Sequence, residues 1–413
     1  MNELQSILDA YAQARARGER AALATIVSVE GSAYRRPGAR MLITESGQTV
    51  GTISGGCLER DVAERAAWVM ETGAARLIEY DTRGNEDIVW GLGLGCNGVV
   101  RVMLESLHEG GPGARALQFI ANCLQTRQSG VCATVIAGAA DKKSGKDCVV
   151  EVDERLLLDA KLNICGPSLA DRKLAASIRE DALEILAGRR AVVRALETGE
   201  GRREIFFDVI MPARPLVIFG AEHDAVPLLR QAKTVGWHVT VVDTRARRAT
   251  RKRFTEADEI LLCRADEVAA QVSLTENTAV VVMTHNYLDD AALLRALLPS
   301  PICYLGILGP RQRTLKLLEE INADVFRLAQ SEFARLHSPI GLDIGAETPE
   351  EVALAIIAEI KAVSATRGGG FLRERNAPIH DEHDSEPASG KISIEPYNPA
   401  GESSVPLIIC HSS

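Results

Sequence analysis

A chain of 413 residues has room for two or three domains, and its 46% apolar and 25% charged content is that of a folded globular protein. A net charge of -9 argues against a nucleic-acid partner, because displacing the counterions condensed on phosphates takes basic patches. No apolar run reaches the roughly 18 residues that span a bilayer, and Met1-Asn2-Glu3-Leu4-Gln5 lacks a basic region followed by an apolar stretch, so no membrane partner and a cytoplasmic location are expected. In chain order, Leu4, Ile7, Leu8 and Tyr11 at helical spacing predict an amphipathic helix that runs towards Arg20. The β-branched run from Ala22 to Val29 predicts a strand, followed by strand-like pieces at Arg40 to Thr44 and Gln48 to Ile53. Ser54-Gly55-Gly56-Cys57 leads into Leu58, Val62, Ala66 and Val69, a helix beginning at or just after the glycines. Strands are expected at Arg76 to Tyr80 and Val99 to Leu104. Between them lies Gly91-Leu92-Gly93-Leu94-Gly95-Cys96-Asn97-Gly98, whose glycine density demands an unusual backbone.

The stretch 111–211 gives weaker, mixed signals and reads as an elaboration of an N-terminal mixed α/β domain covering 1–110. Pro212 and Pro215 mark a boundary. Beyond it, strands at Leu216 to Phe219, Trp237 to Asp243, Glu259 to Leu262, Ala279 to Met283 and Cys303 to Leu308 alternate with helical stretches. That is the layout of a parallel sheet covered on both faces. The fold class is therefore α/β, with a Rossmann-like domain over 212–366 and a tail, 367–413, rich in Gly, Pro, Ser and acidic residues and expected to be largely disordered.

The loop Gly220-Ala221-Glu222-His223-Asp224-Ala225 follows a strand and opens a helix, with Asp243 about 20 residues on, at the end of the second strand. The dinucleotide fingerprint wants glycine where Glu222 stands. A carboxylate there crowds and repels a pyrophosphate, so nucleotide or NAD(P) binding in the usual pose is doubtful. His285 ends a further strand, and Arg311 and Arg313 follow the next, where they could hold phosphate or simply face solvent at a helix start. His337-Ser338-Pro339 is a turn harder to explain as packing, although a lone histidine is more often structural than catalytic, whereas Thr348, Pro349 and Glu351 are explained by helix capping.

Nine cysteines, odd in number and without paired zinc spacing, are expected to be reduced thiols. Cys57 and Cys96 alone sit in glycine cradles, Gly55 and Gly56 beside the first, and both could present sulfur to a soft metal. The bland alternative is a small buried hydrophobe in a tight turn. Between the first strands Arg35 and Arg36 form a basic pair suited to a phosphate, or else a solvated turn.

Taken together, Val27 to Ser32, Arg35-Arg36-Pro37-Gly38-Ala39-Arg40-Met41, Ser54-Gly55-Gly56-Cys57-Leu58-Glu59, Gly93-Leu94-Gly95-Cys96, Val217-Ile218-Phe219-Gly220-Ala221, Tyr304-Leu305-Gly306 and His337 to Asp343 resemble the xanthine dehydrogenase accessory protein family, XdhC/CoxI. The resemblance implies a chaperone rather than an enzyme. It would bind molybdenum cofactor as cargo, help it receive its terminal sulfur from a cysteine desulfurase, and insert it into a xanthine dehydrogenase or aldehyde oxidase-type molybdenum hydroxylase. Carried over, Cys57 and Cys96 contact the molybdenum end, with Arg35 and Arg36 near the phosphate and Gly55 and Gly56 in the cofactor-binding set beside Cys57. Gly220, His223, Asp224, Asp243, His285, Arg311, Arg313 and His337 complete the candidate cofactor-binding set, and a homodimer is expected. Two departures stand out: the family loop usually reads Gly-Ala-Gly-His-Asp-Ala where this chain has Glu222, and the second cysteine usually precedes two glycines where this chain has Asn97-Gly98. The competing reading is an NAD(P)-dependent oxidoreductase built on the Rossmann-like domain.

Overall fold

The computed structural model describes residues 3–31, 33–81, 98–137, 147–150, 154–198, 201–245, 251–325, 333–376 and 379. The chain divides into two units, Met1–Ala213 and Arg214–Ser413, the division falling between the prolines at 212 and 215.

The first unit runs α1 (Glu3–Ala16), β1 (Ala21–Gly31), β2 (Arg40–Thr44), β3 (Thr49–Gly51), α2 (Glu59–Thr72), β4 (Ala75–Asp81), β5 (Gly98–Ser106), α3 (Pro112–Thr126), β6 (Gly130–Ala137), β7 (Asp147–Val150), β8 (Arg155–Asp159), α4 (Arg172–Gly188), β9 (Val192–Thr198) and β10 (Gly201–Ile210). Two antiparallel sheets result, ordered β3-β2-β1-β5-β4-β7 and β8-β6-β10-β9. The stretch 111–211 thus builds the second sheet and also lends β7 to the first. Helix α2 forms because Val62, Ala66 and Val69 recur at helical spacing. It buries that stripe against Ala24, Ile26, Ile43, Val102 and Leu104 of the first sheet, and each large aliphatic buried there stabilises the fold by about 1.5–3 kcal/mol. Helix α4 does the same for the second sheet, laying Leu174, Ile178 and Ile185 on Val131, Leu156 and Phe207. Val27, Met103, Ile136 and Phe206 form a further cluster drawn from both sheets.

The second unit runs β11 (Pro215–Phe219), α5 (Ala225–Thr234), β12 (His238–Asp243), β13 (Glu259–Leu262), α6 (Val268–Gln271), β14 (Ala279–Val282), α7 (Tyr287–Leu297), β15 (Tyr304–Ile307), α8 (Arg311–Val325), β16 (Leu336–His337) and α9 (Pro349–Ser364). All pairings are parallel, in the order β13-β12-β11-β14-β15-β16. Ranked along the chain this is 3-2-1-4-5-6, the doubly wound Rossmann order, which reverses direction between β11 and β14. Side chains alternate between the two faces: Leu216 and Ile218 pack with Leu228, Ile356 and Ile360, while Val217 and Phe219 pack with Leu293, Leu297 and Leu317. Pro215 opens β11 rather than ending the preceding segment, a first-residue position at which a strand tolerates proline. Thr348 and Glu351 close the expected capping box on α9, with Pro349 in its first turn.

Candidate functional site

Cys57 is half-buried, two residues ahead of α2, on a loop whose shape depends on glycine: Gly55 has φ 81° and Gly56 φ 120°. The loop is organised from below by Glu59. Its Oε1 accepts hydrogen bonds from the backbone N–H of Ile53 (3.1 Å), Ser54 (2.8 Å) and Gly55 (3.1 Å) and from the Thr52 hydroxyl (2.6 Å). Its Oε2 accepts from Gly56 N–H (2.9 Å), Leu58 N–H (3.1 Å) and the Ser54 hydroxyl. Burial works to raise the Glu59 pKa, but the hydrogen bonds from Ser54, Thr52 and the backbone outweigh it and hold the carboxyl down at about 2. These amides already have their anion. What the loop offers a ligand is the Cys57 sulfur and the bare backbone of Gly56, where a Cβ would meet nothing within 4 Å.

The basic loop between β1 and β2 comes to the same place. The Tyr34 ring, itself 68% exposed, lies 3.1 Å from where a Gly55 Cβ would stand, so glycine is required there twice over. Arg35 donates to Glu3 Oε2 at 2.6 Å, and Glu3 Oε1 accepts from Thr52 N–H at 3.3 Å, which ties α1, the arginine loop and the cysteine loop together. Arg36 is exposed in the turn, its carbonyl accepting from Ala39 N–H at 3.1 Å. Cys96, with its glycines, lies outside the described residues.

In the second unit the expected residues gather at the carboxyl ends of the strands. Gly220 has φ 132°, and a Cβ on it would stand 2.3 Å from the Met283 carbonyl oxygen, so only glycine lets β11 and β14 end this close. Glu222 is half-buried and His223 exposed. His285 Nε2 lies 2.7 Å from Asp224 Oδ2, joining the loops after β14 and β11. Asp243 is buried and accepts from Arg245 N–H at 2.9 Å. Arg313 reaches inward: its Nη2 pairs with Asp290 Oδ2 at 2.7 Å, and Thr284 donates to Asp290 Oδ1 at 2.5 Å. Burial pushes the Asp290 carboxyl pKa up against the Thr284 hydrogen bond and the Arg313 charge. Arg311 stands exposed at the start of α8.

His337 is a packed residue. Its ring stacks on Tyr304 with centroids 4.4 Å apart, and Nδ1 lies 3.1 Å from Glu359 Oε1. Glu359 Oε2 accepts from Gly341 N–H at 2.8 Å and from the Tyr304 hydroxyl. Burial opposes ionisation of Glu359, yet the hydrogen bonds from His337, Tyr304 and Gly341 keep its pKa below the usual carboxylate value. Sequence reasoning missed Glu3, Glu59 and Glu359, the carboxylates that hold these loops. On amphipathic helices each reads as a solvent-facing charge; only Glu59, three residues after a double glycine, gave a local signal.

Comparison with known proteins places a model described as the XdhC Rossmann domain on residues 216–360, and one described as the XdhC and CoxI family on residues 14–81. A protein of Bacillus subtilis described as a probable xanthine dehydrogenase component is 31% identical, with 87% of this chain and 97% of that protein covered. A molybdenum cofactor insertion chaperone, PaoD, of Escherichia coli is 23% identical over 87% of this chain and 88% of its own length. Among solved structures, a xanthine dehydrogenase from Bacillus halodurans aligns with a TM-score of 0.69 and 27% identity, covering 89% of this chain and 97% of that one.

Proposed function

This chain belongs to the XdhC and CoxI family, and on that premise we propose that it binds molybdenum cofactor as cargo, holds it while a cysteine desulfurase supplies its terminal sulfur, and passes it to a xanthine dehydrogenase-type molybdenum hydroxylase. The observation that carries the reading is the Cys57 loop, a half-buried cysteine beside two glycines of positive φ, hydrogen-bonded to Glu59 and flanked by Tyr34 of the arginine loop. A thiol in such a place suits the soft metal end of the cargo. Arg35 and Arg36 lie one and two residues beyond Tyr34 and would meet the phosphate end; Cys96 is a second candidate thiol.

Purified protein incubated with the cofactor should retain molybdenum through gel filtration, and Cys57→Ala should lose most of it. No retention by the wild type, or full retention by the variant, overturns the proposal. Delivery is read separately, by activation of an apo-hydroxylase with and without a desulfurase, and the homodimer by light scattering. The competing oxidoreductase reading draws on Gly220 and Asp243 standing where a dinucleotide would need them. Calorimetric titration with NAD and NADP tests it, and absent heat for both removes it.

A further inference from the structure

Arg35, Arg36 and Arg40 lie within six residues of one another, yet the structure divides them. Residues 36–39 form a turn, closed by Ala39 N–H donating to the Arg36 carbonyl at 3.1 Å, with Pro37 and Gly38 at its corners. Gly38 has φ 91°, which the second corner of such a turn requires. Its backbone is held on both sides: the N–H donates to the Ile26 carbonyl at 2.8 Å, and the carbonyl accepts from Arg40 Nη1 at 2.8 Å. Arg40 is buried, so unlike the half-buried Arg35 and the exposed Arg36 it is closed off from a ligand. Strand alternation explains why. Met41 and Ile43 pack under α2, which turns Arg40 to the other face of the first sheet, and Phe207 packs under α4, which turns Asp208 of β10 towards it. There Arg40 Nη2 pairs with Asp208 Oδ2. A Cβ on Gly38 would stand 3.5 Å from Asp208 Oδ1 and 3.5 Å from Ala191 Cβ, so the turn also rests directly on Asp208 and on the residue before β9.

We infer that Asp208 and Arg40 are positioning residues for the Cys57 site: the second sheet, through this pair and the Gly38 carbonyl, sets where Tyr34, Arg35 and Arg36 meet the cysteine loop. A planar guanidinium suits the task, because one nitrogen of its fork faces the carboxylate while the other faces the carbonyl. Stability is a poor reason to bury such a pair, since desolvating two charges offsets much of their attraction; a fixed geometry is a better one. Upstream of the turn, Tyr34 lies on Gly55, and Arg35 donates to Glu3, whose other oxygen accepts from Thr52 N–H just ahead of the cysteine loop. A shift of the turn therefore moves the basic pair relative to the thiol. What that pair binds rests on the cargo reading; how the loop is held does not.

The test uses the full-length protein and two thiol reagents, the anionic dithiobis-nitrobenzoate and the neutral dithiodipyridine, with labelling of Cys57 followed by mass spectrometry of its peptide. An anion gains from a nearby basic pair and a neutral molecule does not, so the ratio of the two rates reports how that pair stands to the sulfur. The wild-type ratio should exceed that of an Arg35→Ala, Arg36→Ala control by at least about threefold and fall as salt is added. Asp208→Asn and Arg40→Lys should bring the ratio down to the control. Arg40→Lys keeps a charge opposite Asp208 but replaces the fork by a single ammonium, so it reads the loop even where Asp208→Asn does not fold. Glu105→Gln breaks the other buried pair and leaves Arg40 on Gly38, so it should keep the wild-type ratio. A wild-type ratio equal to the control, a wild-type ratio in folded Arg40→Lys, an equal fall in Glu105→Gln, or a Cys57 that neither reagent labels overturns the inference. Molybdenum retention is measured separately: a wild type that retains none overturns the cargo reading and leaves the positioning result standing.

Discussion

Glu59 shows how one carboxylate can fix the geometry of a glycine-rich loop by accepting its backbone N–H groups. Its pKa of about 2 lies below the ordinary 4.5, so its contribution to stability is complete above pH 4.5 and is lost as pH falls from there through about 2. The stability difference between wild type and Glu59→Gln, from denaturant titrations at several pH values, should therefore be constant near neutrality and shrink across that window. At pH 7, Glu59→Ala should cost about 1–3 kcal/mol, because the N–H groups of Ile53, Ser54, Gly55 and Gly56 lose their acceptor. A constant difference down to pH 2 would show that the loop does not depend on the charge. At this scale the sequence revealed Cys57, Gly55 and Gly56 by their local pattern. It hid Glu3 and Glu359, whose partners lie far along the chain: Glu3 meets Arg35 and Thr52, and Glu359 meets His337 and Tyr304.

The ends of β11 and β14 illustrate constraint at the scale of elements. Parallel strands register Phe219 against Val282, and Gly220 then passes the Met283 carbonyl with no room for a methyl group. Gly220→Ala should destabilise the protein by at least about 2 kcal/mol, combining a forbidden φ with a backbone clash. Chemical denaturation followed by circular dichroism measures it; a loss under about 1 kcal/mol would mean the loop relaxes freely. Elements of the second unit were legible because their β-branched runs are continuous and mostly set apart by helical stretches, although between β12 and β13 no helix stands among the described residues. Strand ends moved by a residue or so, as where β15 covers Tyr304–Ile307 instead of Cys303 to Leu308. The middle stretch was less legible, since β7 is four residues long and pairs with β4 rather than with a sequence neighbour.

Among the described residues of the first unit, two buried ion pairs bridge the sheets. Arg40 of β2 pairs with Asp208 of β10, 168 residues away, and Arg155 of β8 pairs with Glu105 of β5 at 3.1 Å. Burial disfavours the Arg155 charge, but Glu105 more than offsets it and the guanidinium is held charged; burial likewise pushes the Asp208 carboxyl up against the pull of Arg40. Removing one partner strands the other, so Glu105→Gln should cost about 3–5 kcal/mol. The double variant Glu105→Leu, Arg155→Met should recover much of that loss, and a double variant as unstable as the single one would show the pair to be stabilising in itself. By itself the sequence determined the α/β class, the Rossmann-like unit, the glycine-cradled thiol at Cys57 and the family, because these rest on period, spacing and local motif. Only the tertiary structure decided that the Tyr34 loop lies on Gly55, that Glu3, Glu59 and Glu359 are the carboxylates holding the loops, and that Asp224 and His285 meet across a strand reversal. Those are contacts between residues remote in the chain, and a remote contact is selected by the packing of whole sheets, which no local pattern encodes.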